Sequence, residues 1–183
     1  MEIRIGSKHI VAFLKILSWI IFICLCVEAG GILFNGAYVI YKPTVATYFW
    51  NGTDFSALIA RDKGQFITQL VLMVIVAVFK ALIFYQILKL FYNKKFSIDQ
   101  PFRGGITTVV FTIAYLCLGA GFFSNWAVRY ANWLKSQGIQ MPDMHYLNIE
   151  GADVWLFMAV VLFVIGQVFK KGTELQTESD LTV

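Results

Sequence analysis

Charge is what this chain has least of. Only 14% of its 183 residues are Asp, Glu, Lys or Arg, against ~25% in an ordinary soluble domain. A chain of this length with 58% hydrophobic residues cannot hide that much apolar surface in one small water-soluble core. There are two histidines and eleven scattered acidic residues, and no metal-ligand cluster, Gly-rich phosphate loop or nucleophile elbow can be built from them. The sequence therefore implies no cofactor, no metal and no catalytic residue, and the expectation is a non-enzyme. Cys24, Cys26 and Cys117 fall in apolar stretches. The first two point in directions ~200° apart on a helix, so they read as small buried hydrophobes rather than as ligands.

What is present is apolar length. Four stretches, 10–34, 66–88, 106–128 and 154–169, approach the ~20 residues a helix needs to cross a ~30 Å hydrocarbon core. The fold class follows: all-α, an integral membrane bundle of four transmembrane helices with short loops and no soluble domain. The polar stretches between the spans are too short to make a core of their own, and the lipid bilayer is the first partner implied. The first run exceeds the 7–15 residues typical of a signal-peptide core, so it reads as an uncleaved anchor.

The net charge of +4 is a topology signal and does not suggest direct nucleic-acid binding. With the N-terminus inside, the inner face holds Arg4, Lys8, Lys15, Lys89, Lys94, Lys95, Arg103, Lys170 and Lys171. The outer face holds Lys42, Arg61, Lys63, Arg129 and Lys135. That excess places both termini in the cytoplasm.

Local signals refine the outline. Gly30-Gly31 and Asn35-Gly36 suggest that the first helix thins or bends near the outer surface, and Pro43 ends it. The following loop holds Tyr48, Phe49, Trp50 and Phe55, and such aromatics suit a segment lying along the headgroups. Ser97 to Gln100 reads as a capping box, with Pro101 in the first turn of the next helix. Gly119-Ala120-Gly121 in the third span, with Ala159 and Gly166 in the fourth, allows close helix approach within the bundle or in a homo-oligomer. Asp143 and His145 sit in an outer loop and read as solvated surface residues.

Two features are least compatible with lipid. Lys80 interrupts the second span, where a charge costs ~2.5–3.5 kcal/mol on insertion scales and normally faces the bundle interior. Its candidate partner is Glu28 in the first span. Counting helical rise from Lys89 and from Lys15 leaves a ~6 Å offset that two long side chains bridge, whereas counting from Ile10 leaves ~14 Å and no pair. The second feature is the tail, 170–183, which reads as a basic helix end, a glycine stop at Gly172 and an exposed acidic segment.

The tail also carries a resemblance. Phe169-Lys170-Lys171-Gly172, Glu174-Leu175-Gln176, Glu178 and Asp180-Leu181-Thr182-Val183 resemble the ending of a bacterial family of small four-span membrane proteins. That family is catalogued as domain of unknown function 2975. Asn93-Lys94-Lys95-Phe96-Ser97 is similar to the family's basic segment after the second span. The resemblance implies an inner-membrane protein of unknown activity that partners a small helix-turn-helix regulator encoded beside it. Gly172, Glu174, Leu175, Asp180 and Leu181 would then be the recognition residues. The alternative is a small transporter or immunity-type protein that uses Lys80 and Glu28 along a polar path.

Overall fold

The computed structural model describes residues 7–92 and 105–181, with side chains over 10–92 and 105–178. Its α-helices are α1 (Ser7–Tyr41), α2 (Ser56–Arg61), α3 (Lys63–Tyr92), α4 (Ile106–Ser136) and α5 (Ala152–Leu181). Short 3-10 turns occupy Pro43–Tyr48, Trp50–Gly52 and Met144–Leu147. No strand occurs among the described residues. The four long helices are each apolar and long enough to cross a membrane, so the all-α four-span architecture holds. The proposed capping box at Ser97–Gln100, Pro101 and the basic 93–97 segment lie outside the described residues.

The helices are antiparallel neighbours in a row. α1 packs on α3, α3 on α4 and α4 on α5, so Ser7 and Leu181 lie at one end of the bundle. The loops at 42–62 and 137–151 share the other end. Packing is strongly unequal along the bundle. The large buried cluster, including Ile32, Phe55, Phe66, Met73, Leu134 and Ile149, belongs to the loop end. Toward the terminal end a smaller cluster holds Ile83, Cys117 and Ala159, with Leu88, Ile106 and Ala114 buried beyond it. Only 6% of the apolar window of α1 is buried, against 44% for α3, so α1 turns most of its side chains to lipid.

The loop end is a folded cap, which corrects the expectation of a segment lying along the headgroups. Phe49 and Phe55 are buried. With Phe66 they form a mutually edge-to-face trio whose centroids lie 5.1, 5.6 and 6.2 Å apart. Phenylalanine has no polar tip to leave in the headgroups, and the loop carries Ala46, Leu58 and Ile59 to pack with it. Backbone bonds from Phe49 N–H to Thr53 O (3.0 Å) and from Phe55 N–H to Ala46 O (2.9 Å) close the turns. Asn51 and Gly52 take φ of 56° and 72°, which glycine and asparagine tolerate best. Arg61 Nη1 donates to Gln137 O at 2.9 Å, tying the two cap loops together.

The second correction concerns α1, which runs unbroken through Gly31 and Gly36 to Tyr41. Lacking a Cβ, Gly31 takes the Trp50 ring and Gly36 takes the Leu70 side chain. Here the glycines serve close approach rather than bending. At ~52 Å the helix outruns a ~30 Å hydrocarbon core, and its surplus turns carry the protein-facing stripe Ile32, Gly36 and Val39.

The glycines of the third span are also used within the chain. A Cβ on Gly119 would meet Phe79 of α3 at 2.6 Å, and one on Gly121 would meet Leu156 of α5 at 2.7 Å and Ala152 O at 3.1 Å. These contacts fill the surfaces that a glycine-mediated oligomer would need. Gly121→Leu should accordingly separate α5 from α4 rather than dissociate a dimer. The expected result is a fall of at least several degrees in the unfolding midpoint in detergent, with the size-exclusion volume unchanged. Loss of a dimer peak at constant stability would contradict this reading.

Candidate functional site

Where the row of helices meets the cap, a small polar site is built from backbone and side chains together. Residues 147–151 descend between α3 and α4, with Leu147 and Ile149 fully buried. Non-helical backbone at such a depth must have its carbonyls satisfied by protein. Lys80 Nζ donates to Asn148 O at 2.7 Å, and Ser124 Oγ donates to Ile149 O. Asn148 sits at φ 54°, a left-handed conformation that asparagine adopts more readily than most residues, and Gly151 follows at φ 85°. This reversal turns consecutive carbonyls toward the two helices.

Glu28 and Lys80 do come together. Glu28 Oε1 lies 4.0 Å from Lys80 Nζ, with side-chain exposures of 21% and 16%. Glu28 Oε1 accepts no hydrogen bond among the described residues. The lysine is thus hydrogen-bonded to a backbone carbonyl while its charge is balanced by a carboxylate at the limit of ion-pair contact. Antiparallel packing sets this register. Leu70 sits against Gly36 and Lys15 Nζ over the Tyr92 ring, which brings Glu28 level with the α3 residues near 78–80.

Sequence reasoning left the Lys80–Glu28 pair as one of two outcomes and offered no sign of Asn148. A carbonyl acceptor has no side-chain signature. The faint signals were a serine on the small-residue stripe of α4 and an Asn and Gly near the base of a loop. Asp143 caps its own turn, accepting from His145 N–H at 3.4 Å. His145 Nδ1 lies 3.8 Å from Glu150 Oε2 on the exposed surface. No group of three or more His, Cys, Asp or Glu gathers among the described residues.

The tail departs from expectation. Gly172 does not stop the helix, and α5 continues to Leu181. A mid-helix glycine costs only ~1 kcal/mol relative to alanine. Local contacts support the continuation: Lys171 Nζ lies 3.4 Å from Glu174 Oε2, and Thr173 and Thr177 hydroxyls donate to Phe169 O and Thr173 O at 2.9 Å. Of the candidate recognition residues, Gly172, Glu174 and Leu175 do not make one face. Glu174 lines a cavity of about 490 Å3 with Thr107, Lys170, Thr173, Thr177 and Glu178. Leu175, a ~100° step further round, is 55% exposed, and Gly172 lies on Leu175's side. The side chains of Asp180 and Leu181 lie outside the described residues.

Four antiparallel spans, a folded cap and a half-buried polar site joining them define a multi-pass membrane protein. The chain belongs to the family described as Protein of unknown function (DUF2975), whose model matches residues 41–183. Lys80 and Asn148 fall within that match, and Glu28, on α1, falls outside it. No curated protein matches the chain and no solved structure does.

Proposed function

We propose that this protein is an interaction or signalling partner of a soluble regulator, anchored in a bacterial inner membrane with both termini in the cytoplasm. The regulator docks on the α5 arm, residues 170–181. The observation that carries this reading is the continuity of α5. Beyond its apolar run the helix extends ~18 Å as a rigid polar arm, with Glu174 and Leu175 exposed, and a groove beside the start of α4. A preformed helix presents side chains at fixed spacing and loses little entropy on being bound. The family's small helix-turn-helix regulator is the partner we favour. The transporter or immunity-type alternative would require Lys80 to be free for a passing solute, whereas its hydrogen bond to Asn148 O employs it in holding the cap.

The test is co-purification of the tagged full chain with the helix-turn-helix protein encoded beside it. Removing residues 173–183 should abolish recovery of that protein while leaving membrane insertion intact. Glu174→Arg combined with Leu175→Glu should weaken recovery at least tenfold. Undiminished recovery with the truncated chain would end the proposal.

A further inference from the structure

A groove on the lipid-facing side of α1 and α3 leads directly to a cationic and aromatic cluster. The groove, of about 390 Å3, is lined by Phe22, Cys26, Ala29, Ala81 and Tyr85 among others. It is almost wholly apolar, with two alanines keeping its floor low. Phe22, Cys26 and Ala29 recur at intervals of three or four residues, and the same stripe continues backward through Trp19 to Lys15. On α3 the matching stripe runs from Tyr85 through Lys89 to Tyr92.

Side-chain contacts join these stripes at the terminal end. Lys15 Nζ lies 3.9 Å from the centre of the Tyr92 ring, and Trp19 Nε1 donates to Tyr92 Oη at 3.0 Å. Trp19 meets Phe22 at 6.0 Å and Phe22 meets Tyr85 at 6.2 Å between centroids. A continuous aromatic wall therefore connects the apolar groove to Lys15. Lys89 is exposed on the same stripe. Among the described residues neither lysine faces a carboxylate within ion-pair distance.

We propose that this surface is a binding site for one anionic phospholipid, with its phosphate at Lys15 and Lys89 and an acyl chain along the α1–α3 groove. Charge complementarity selects the occupant. Among the described residues the two lysines have no acidic partner, and at the headgroup level a phosphodiester balances their charge, whereas a zwitterionic lipid returns part of that gain. Length agrees as well. Lys15 to Ala29 spans ~21 Å along α1, enough to accommodate the ~15 Å hydrocarbon depth of one leaflet. Tyr92 and Trp19 are residues that favour the headgroup boundary, and their mutual hydrogen bond fixes the lysine's platform before any lipid arrives.

The experiment is quenching of Trp19 in vesicles of dioleoylphosphatidylcholine containing the full chain. Part of the host lipid is replaced by dibrominated phosphatidylglycerol or by dibrominated phosphatidylcholine. The Trp19 signal is isolated by subtracting the Trp19→Phe variant. We expect phosphatidylglycerol to be preferred at low salt by about fivefold for each of the two lysines, and the preference to vanish in the doubly substituted Lys15→Gln, Lys89→Gln chain. Ala81→Leu, which fills the groove without touching charge, should reduce quenching by both lipids alike. Equal quenching of the unsubstituted chain by the two lipids would overturn the proposal. So would a preference that survives loss of both lysines, or quenching indifferent to Ala81→Leu.

Discussion

Lys80→Met should lower the unfolding midpoint of the purified protein in detergent by about 10 °C, and adding Glu28→Gln should restore at least half of that loss. Removing one member of a buried ion pair typically costs ~3–5 kcal/mol, because the other charge is stranded. The 4.0 Å separation and the part exposure of both side chains put this pair at the weaker end, ~3 kcal/mol. For a chain of this size each kcal/mol moves the midpoint by ~2–4 °C. Methionine keeps most of the lysine's apolar volume, so packing contributes little. The loss therefore reports the uncompensated Glu28 and the unsatisfied Asn148 carbonyl. Glutamine at position 28 removes the first cost and leaves the second, which is why restoration should be incomplete. If single and double variants unfold at the same temperature, Lys80 acts through Asn148 O alone and the carboxylate contributes nothing.

The second large effect belongs to the cap. Phe55→Ala is expected to destabilise the protein by ~3–5 kcal/mol, the usual range for emptying a buried phenylalanine site. Phe55 is 1% exposed, and its ring is held edge-on by both Phe49 and Phe66. Tyr48, the first aromatic of the same loop and 84% exposed, supplies the contrast: Tyr48→Ala should change the midpoint by no more than a degree or two. Amide exchange in residues 137–151 should accelerate in Phe55→Ala, since that loop packs on the same cluster through Ile139, Met144 and Leu147. Similar responses from the Phe55 and Tyr48 variants would return the loop to the membrane surface.

The four spans were legible because bilayer thickness imposes a length on apolar runs that few other constraints imitate. The Lys80–Glu28 pairing was legible in part. Helical rise gave an offset, but the choice between Lys15 and Ile10 as boundary changed the answer. The structure settles the register through Gly36 against Leu70 and Lys15 over Tyr92. The cap was misjudged because aromatic composition alone does not separate a ring that rests among headgroups from one that enters a core. Phe49 and Phe55 lack the hydroxyl or indole N–H that anchors Tyr and Trp at an interface, and that distinction was the available clue. Gly172 misled for a different reason. A glycine ends a helix when the chain beyond it takes a left-handed turn, but Thr173 and Thr177 instead return hydrogen bonds to the preceding turn.

The continuity of the α4–α5 packing has a mechanical corollary. Leu156 sits against Gly121 near the cap and Phe111 against Gly166 toward the other end, with the Phe163 ring against Phe111 and Tyr115. These contacts cover ~15 Å of α5 between Leu156 and Gly166, so α5 does not swing as a lever on α4. A displacement at the cap therefore reaches the arm at 170–181 at its own amplitude, as through two laths glued into one strut.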